Sequence, residues 1–274
     1  MTGMTKMSTR SDLLRQTVVM VSAILAIVGS FIGSGAAGGT SMQTASGGAF
    51  AADATPIAPD GPAFAIWSVI YLGLIAYAIW QFLPAQKTDA RQRALGYPIA
   101  ASLVLNAAWI MSIQIDLLWL SVPVIVLLLG VLIRTFQLTL LSRPKNLIET
   151  IVADGTVGLY LGWVSIATAA NVTAVLVDAG FEGFGLSSDL WAVLVIAVAG
   201  LIGVFVAVYG RGRLAPTASL SWGLAWLAVA RLTGTLLSTP AAIAAILAVA
   251  VIVIVTITVR ARAPRSAVPR LVSA

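Results

Sequence analysis

Two residue types are missing from this sequence of 274 residues, and their absence removes several kinds of chemistry. The chain has no cysteine and no histidine. Disulfide bonds and thiolate catalysis are therefore excluded, and so is any metal or haem held by a histidine nitrogen. We expect no metal site and no resident cofactor.

Charged residues are also scarce. They make up 9% of the chain, against 59% hydrophobic residues, whereas an ordinary soluble domain is about one quarter charged. So few charges cannot cover a surface in water, so lipid must be the solvent for most of the chain. The hydrophobic runs are continuous, whereas the strands of a membrane barrel would alternate. The sequence predicts an all-α, polytopic membrane helical bundle.

Eight hydrophobic segments have about the 20 residues that a helix needs to cross a bilayer. They are Thr17–Gly35, Ala63–Leu83, Leu95–Ile115, Leu117–Leu141, Ile151–Val177, Leu190–Tyr209, Thr217–Leu237 and Pro240–Val259. Asp116 alone separates the third and fourth, and Ser238-Thr239 separates the last two, which predicts two antiparallel pairs. The long connection Ala36–Pro62 is rich in small residues and is expected to be a mobile loop outside the bilayer core.

Apart from Arg231, the basic residues lie at the two termini and in every second connection, with Arg134 just inside a span end. They are Lys6, Arg10, Arg15, Lys87, Arg91, Arg93, Arg134, Arg143, Lys145, Arg211, Arg213, Arg260, Arg262, Arg265 and Arg270. Cytoplasmic connections are rich in Lys and Arg, so eight transmembrane helices with cytoplasmic N- and C-termini are predicted. The net charge of +6 is explained by this orientation, and no nucleic-acid partner is expected.

The first span allows two interpretations. Basic residues, the apolar stretch Val18–Val28 and small residues near Ala49-Phe50-Ala51 resemble a secretory signal. The apolar stretch continues through Ile32, however, and the cleavage site would lie too far downstream, so a retained helix is favoured. Its Gly29 and Gly33 let another helix approach closely, with ordinary packing favoured over a dimer motif.

Three spans carry polar and aromatic residues at helical spacing, so that each set shares a face. The faces hold Phe64, Trp67 and Tyr71; Ser102, Asn106 and Trp109; and Tyr160, Trp163, Ala167 and Asn171. An amide without a partner in hydrocarbon costs on the order of 4–8 kcal/mol, so both Asn side chains should face protein, water or ligand. From the residues alone, a ligand cavity and plain hydrogen bonding between helices are equally favoured.

Arg231 is the clear charge inside a predicted span. Arginine within a membrane is usually paired, and Asp116 and Asp60 are the acids on the same side that could reach it. The alternative is that its guanidinium extends to the lipid headgroups.

Three motifs resemble those of the tryptophan-rich sensory protein family (TspO/MBR). Tyr160–Asn171 (YLGWVSIATAAN) is similar to the signature of the fifth helix, Asn106–Trp109 (NAAW) to that of the third and Phe64–Tyr71 (FAIWSVIY) to that of the second. Leu159 and Ile166 stand where the family has Pro and Phe. The resemblance covers about residues 15–178, and the remainder looks like the longer eight-helix branch of the family.

The resemblance implies a TspO/MBR-like five-helix core at residues 1–178 and a three-helix C-terminal extension at residues 179–274. It also implies an intrabundle pocket for a tetrapyrrole- or lipid-like ligand, and often a homodimer. Carried over by position, the ligand-binding residues are Trp67, Tyr71, Asn106, Trp109, Trp163, Ala167 and Asn171. Porphyrin or haem would bind there as a ligand without histidine ligation.

Binding is the favoured function. The first hypothesis is a receptor or sensor in the bacterial cytoplasmic (inner) membrane, with a hydrophobic small molecule and membrane lipid as partners. The alternative is a transporter of such ligands, but no internal repeat is visible and Arg231 is the one clear intramembrane charge. An enzyme is not expected, because the sequence offers no histidine, no cysteine and no pair of buried carboxylates.

Overall fold

A computed structural model describes residues 10–33, 35 and 40–263, and these contain helices and turns but no strand. Their eight long helices are α1 (Arg10–Gly33), α2 (Ile66–Trp80), α3 (Ala90–Gln114), α4 (Leu118–Leu141), α5 (Thr156–Asp178), α6 (Ser188–Tyr209), α7 (Leu214–Thr233) and α8 (Thr239–Arg262). A 3₁₀ helix, Gly61–Ala65, precedes α2, and a π-helical turn, Thr150–Gly155, precedes α5. The predicted all-α class is confirmed. Lys6, Arg265, Arg270 and loop residues 36–39 lie outside the described residues.

Seven helices of the described part are long and hydrophobic enough to cross a membrane. The chain is therefore an integral multi-pass membrane protein. The predicted seventh span, Thr217–Leu237, corresponds to α7, which is not among the seven. Its 20 residues are long enough to cross, but Ser219 and Arg231 make it more polar. Both of these side chains are buried, so the polar groups that lower the hydropathy of α7 do not face lipid.

The long helices pack in an order that differs from the order of the chain. Helix α1 packs along α3, α3 along α4, α4 along α5, α5 along α7, α7 along α8, and α8 along α6. Helix α2 contacts α1, α5 and the π-helical turn. Both predicted helix pairs are present, α3 with α4 and α7 with α8. Asp116 has a φ of 58°, the left-handed conformation that Asp tolerates, and this lets the short connection reverse the chain.

Glycines bring two helix pairs into close contact. Gly33 faces α3, where an added Cβ would lie 2.6 Å from the Ile110 side chain, in agreement with ordinary packing of α1. Gly162 faces α7, where an added Cβ would lie 2.1 Å from the carbonyl oxygen of Pro216. Helix α7 is therefore packed directly on α5, and the division of the chain at residue 178 stays a prediction.

A buried charge network lies at the end of the bundle opposite the loop that connects α1 and α2. The Arg91 guanidinium binds Asp154 and lies 2.9 Å from Glu149, while Arg213 lies 3.1 Å from Asp154. The expectation that no pair of carboxylates is buried is therefore wrong, since Glu149 and Asp154 are 1% and 7% exposed. Each carboxylate is matched by a guanidinium, which offsets the cost of removing it from water.

The first loop (residues 40–60) is packed on the helices, contrary to the expected loose connection. Ala45, Phe50 and Ile57 are buried, and the Ser46 hydroxyl donates to the Ile113 carbonyl at 2.9 Å. The loop therefore forms a roof over one end of the bundle.

Arg231 does not pair with Asp116 or Asp60, and it does not extend to lipid headgroups. Its guanidinium donates to the main-chain oxygens of Ala52 and Thr55 in the first loop, and the residue is 1% exposed. The sequence could not reveal these partners, because main-chain oxygens carry no sequence signal.

Candidate ligand-binding site

Aromatic rings from α2 and α5 converge beneath the first loop. Trp67 stacks on Tyr71 with ring centres 5.3 Å apart. The rings of Tyr160 and Trp163 contact the Trp67 ring edge-on, with ring centres 5.7 and 6.3 Å away. Phe64 meets Trp163 edge-on at 5.8 Å. The helical spacing that placed these rings on shared faces therefore brings them into one cluster, which we call the aromatic site.

The two predicted amides support this site from behind. The Asn171 oxygen accepts a hydrogen bond from the Trp109 indole at 2.8 Å, and its nitrogen donates to the Ser121 hydroxyl at 2.8 Å. The Asn106 nitrogen donates to the Tyr71 hydroxyl at 2.5 Å. Both amides are fully buried and line neither of the cavities described next. They fix the orientation of the Tyr71 and Trp109 rings, which do line these cavities.

An inner cavity of about 40 Å³ lies between the first loop and the aromatic rings. Its walls contain Trp67, Trp109, Trp163 and Ala167 among the predicted ligand-binding residues. Phe50, Thr55, Ala58 and Pro59 of the first loop form the roof. These roof residues were missed from the sequence, where the one signal was a large aromatic residue, Phe50, in a segment of mostly small side chains.

A cleft of about 310 Å³ adjoins the inner cavity, and Phe64, Trp67 and Trp109 line both. Ser30, Ser68 and Tyr71 add hydroxyl groups to its wall. Ligand pockets usually measure ~300–1,000 Å³, so the cleft alone reaches the lower end of that range. The inner cavity has room for only a few water molecules, since a single water needs a cavity of ~10–15 Å³. A large flat ligand fits only if the first loop moves.

One polar group in the wall lacks a partner. The Trp163 indole nitrogen is buried and has no hydrogen-bond partner anywhere in the described chain. Buried donors are nearly always paired, so this N–H is available to an acceptor on a bound molecule.

A larger cavity lies elsewhere. A lateral groove of about 800 Å³ runs between α4, α5 and α6 and contains none of the seven predicted residues. It exists because α6 packs on α8 and leaves one face of α5 uncovered. The hydroxyls of Ser165 and Thr168 donate to carbonyls of their own helix at 2.8 and 2.7 Å, and Gln137, Thr173 and Glu182 are further polar side chains in the wall of the groove. Ligand sites combine an apolar wall with convergent polar groups. We favour the aromatic site, despite its smaller volume, because its wall holds a buried indole N–H without a partner in the described chain.

Acidic residues do not gather into a metal site in the portion of the chain that the structure describes. The polar groups near the aromatic rings are amides, hydroxyls and indoles, which suit hydrogen bonding to an organic molecule.

A protein-family model described as TSPO-like protein matches residues 16–258. The match runs from α1 into α8 and so includes the three C-terminal helices. Neither the comparison with curated proteins nor that with solved structures gave a match.

Proposed function

The chain belongs to the family of TSPO-like proteins, and from this membership and the geometry above we propose that it is a membrane receptor or sensor. Its ligand is a tetrapyrrole- or lipid-like hydrophobic molecule bound at the aromatic site. The observation that carries the proposal is the buried, unpartnered indole N–H of Trp163 in the wall of an aromatic cavity.

The site favours a flat ligand with a polar edge. Trp and Tyr faces provide large stacking surfaces, and the buried Trp163 indole offers a hydrogen bond from a mainly apolar wall. The Ser30 and Tyr71 hydroxyls line the cleft and suit polar substituents of the same molecule. With no histidine in the chain, porphyrin or haem would bind through its ring and substituents.

We further propose eight membrane spans, with both termini on the cytoplasmic side of a bacterial inner membrane. The alternation of basic and acidic connections supports this orientation. The first loop, and with it the aromatic site, then lies toward the outer face.

Transport of the ligand is the second candidate function. The cavities in the described part of the chain favour a receptor, because the aromatic site is closed toward the cytoplasmic end. Toward the cytoplasmic end, the Tyr160 hydroxyl donates to the Ser102 carbonyl at 3.2 Å, and the network around Arg91 lies beyond. A transporter needs access from both sides. Counterflow of labelled porphyrin in liposomes tests this, because a receptor gives no counterflow.

The proposed site is tested by a pair of substitutions on α5. Ala167 lines the inner cavity, whereas Ala169, two residues further on, lines the lateral groove. Ala167→Phe fills the aromatic site and should lower the affinity for protoporphyrin IX at least tenfold, measured by absorbance titration of the purified protein. Ala169→Phe adds the same side chain to the same helix and should bind as the wild type does.

Equal affinities for the wild type and both variants would exclude the aromatic site. A loss confined to Ala169→Phe would assign the ligand to the lateral groove. A thermal-shift screen then ranks other hydrophobic molecules, because a ligand that binds the folded state raises the unfolding midpoint.

A further inference from the structure

The roof of the aromatic site is attached on two sides. On the first, the Gln114 side chain of α3 donates to the Thr40 carbonyl at 2.8 Å, and Ser46 bonds to Ile113. On the second, the hydrogen bonds that the described residues make to other elements come from α7 or the residues just after it. The two halves of the first loop are thus held by different parts of the chain.

The second side consists of hydrogen bonds to residues 52–63. Arg231 donates to Ala52 and Thr55. The main-chain nitrogen of Asp60 donates to the Trp226 carbonyl at 3.2 Å, and the Trp222 indole donates to the Ala63 carbonyl at 2.9 Å. Thr235 donates to the Asp53 carboxylate at 3.2 Å. Thr55 itself lines the inner cavity, so these bonds act directly on the roof.

Arg231 is an unusual group in this set. Its charge is buried, no carboxylate lies within ion-pair distance of it in the described chain, and its Nε has no partner. Main-chain oxygens of the closed roof are therefore its hydrogen-bond acceptors. A buried charge whose hydrogen bonds go to main-chain dipoles, with Asp53 and Asp60 acting on it at longer range, is less well compensated than a full ion pair. Water can replace these main-chain acceptors if the roof lifts.

We propose that α7 clamps the first loop over the aromatic site, with Arg231 as the positioning residue, so that the C-terminal extension controls ligand exchange. The control of ligand exchange rests on the proposed function, whereas the attachment of the first loop by α7 does not. An inner cavity of about 40 Å³ is too small for a flat polycyclic molecule, so the roof must move, and the bonds to α7 hold the half of the roof that contains Thr55.

The clamp is tested first without ligand. The chain has no cysteine, so Ala58→Cys places a single thiol in the buried roof. Its rate of labelling by a maleimide should rise at least tenfold when Arg231→Met is added. Arg211→Met removes an exposed charge from the extension away from the roof and should leave the rate unchanged. Trp222→Phe removes one roof bond and should give a smaller rise.

General unfolding is detected by a second thiol. Ala153 is buried at the opposite end of the bundle, so the thiol of Ala153→Cys should still be labelled slowly when Arg231→Met is added. An unchanged rate at residue 58 would overturn the clamp, and so would an equal rise at residues 58 and 153.

Ligand exchange is then measured by stopped-flow quenching with protoporphyrin IX. Arg231→Met should raise both the association and the dissociation rate severalfold, because the roof opens more often. Faster dissociation with slower association would indicate a damaged site and overturn the gating role. If the wild type does not bind the porphyrin, the proposed function fails, while the labelling result still decides the clamp.

Discussion

At the scale of single residues, the aromatic site depends on which polar groups are satisfied. The oxygen and nitrogen of Asn171 are bonded to Trp109 and Ser121, and such interhelical bonds contribute about 0.6–2 kcal/mol each in membranes. The Asn106 oxygen is buried without a partner in the described chain, but Asn106 lines neither cavity. Trp163 has no such partner. The amides therefore position the rings, while the free indole is the group that can recognise a ligand.

Replacing Trp163 by Phe tests this recognition. The ring stays, the N–H is lost, and the affinity for protoporphyrin IX should fall roughly threefold to tenfold, the value of one hydrogen bond. Trp191→Phe is the control, because that indole donates to the Gly183 carbonyl at 2.7 Å and lines the lateral groove. Absorbance titration gives both affinities. An equal effect of the two substitutions would mean that the Trp163 N–H makes no bond to the ligand.

The residues of the site could be predicted only in part. Helical spacing placed Trp67, Trp109, Trp163 and Ala167 on inward faces, and the structure brings them around one cavity. The same spacing gave no distinction between a residue that lines a cavity and one that supports it, as Asn106 and Asn171 do. That distinction depends on side-chain partners from other helices.

At the scale of elements, the contact between α5 and α7 joins the extension to the core. It requires glycine, because a Cβ at residue 162 would meet Pro216 and the Ser219 hydroxyl at 2.1 and 2.2 Å. The same α7 carries Arg231. Separation of these helices would therefore also loosen the roof.

Gly162→Ala should destabilise the bundle by about 1–3 kcal/mol, the usual cost of overpacking. Gly130→Ala is the matched control, since nothing lies within 4 Å of an added Cβ there. It should be neutral or slightly stabilising, because Ala favours helix. Thermal unfolding in detergent compares the two. Equal midpoints would show that α5 and α7 are not in close contact.

Long hydrophobic segments were predictable because length and hydropathy are local properties of the sequence. The structure of the first loop was not, since its contacts join residues far apart in the chain, such as Thr55 and Arg231. For α7, the burial of Ser219 and Arg231 against other parts of the chain permits polar residues that lower its hydropathy. The sequence pattern predicted the position of α7 in the chain but not which residues pack around it.

At the scale of the whole molecule, the proposed orientation depends on α7 crossing the membrane. Single cysteines on either side of it give a direct test, because Arg211 and Thr235 are both exposed. In intact cells, an impermeant maleimide should label Thr235→Cys at once and Arg211→Cys only after permeabilisation. Asp53→Cys, also exposed, serves as the outer-side reference. Labelling of residues 211 and 235 from the same side would show that α7 does not cross the membrane, and the proposed count of eight spans would be wrong.

The two ends of the molecule have different roles in this account. Ion pairs among Arg91, Glu149, Asp154 and Arg213 hold together the end that we propose is cytoplasmic, while the opposite end is closed by hydrogen bonds between the first loop and α7. Rigidity at one end and a removable roof at the other suit a protein that receives a ligand from the membrane or the outer side.

The most direct measurement is the site of attachment of a photoreactive porphyrin. After illumination of the purified protein and digestion, mass spectrometry identifies the labelled residues. If the ligand binds at the aromatic site, we expect adducts on residues 64–71, 163–170 and 49–59. Adducts confined to Trp191, Phe205 and Tyr209 in the lateral groove would contradict it.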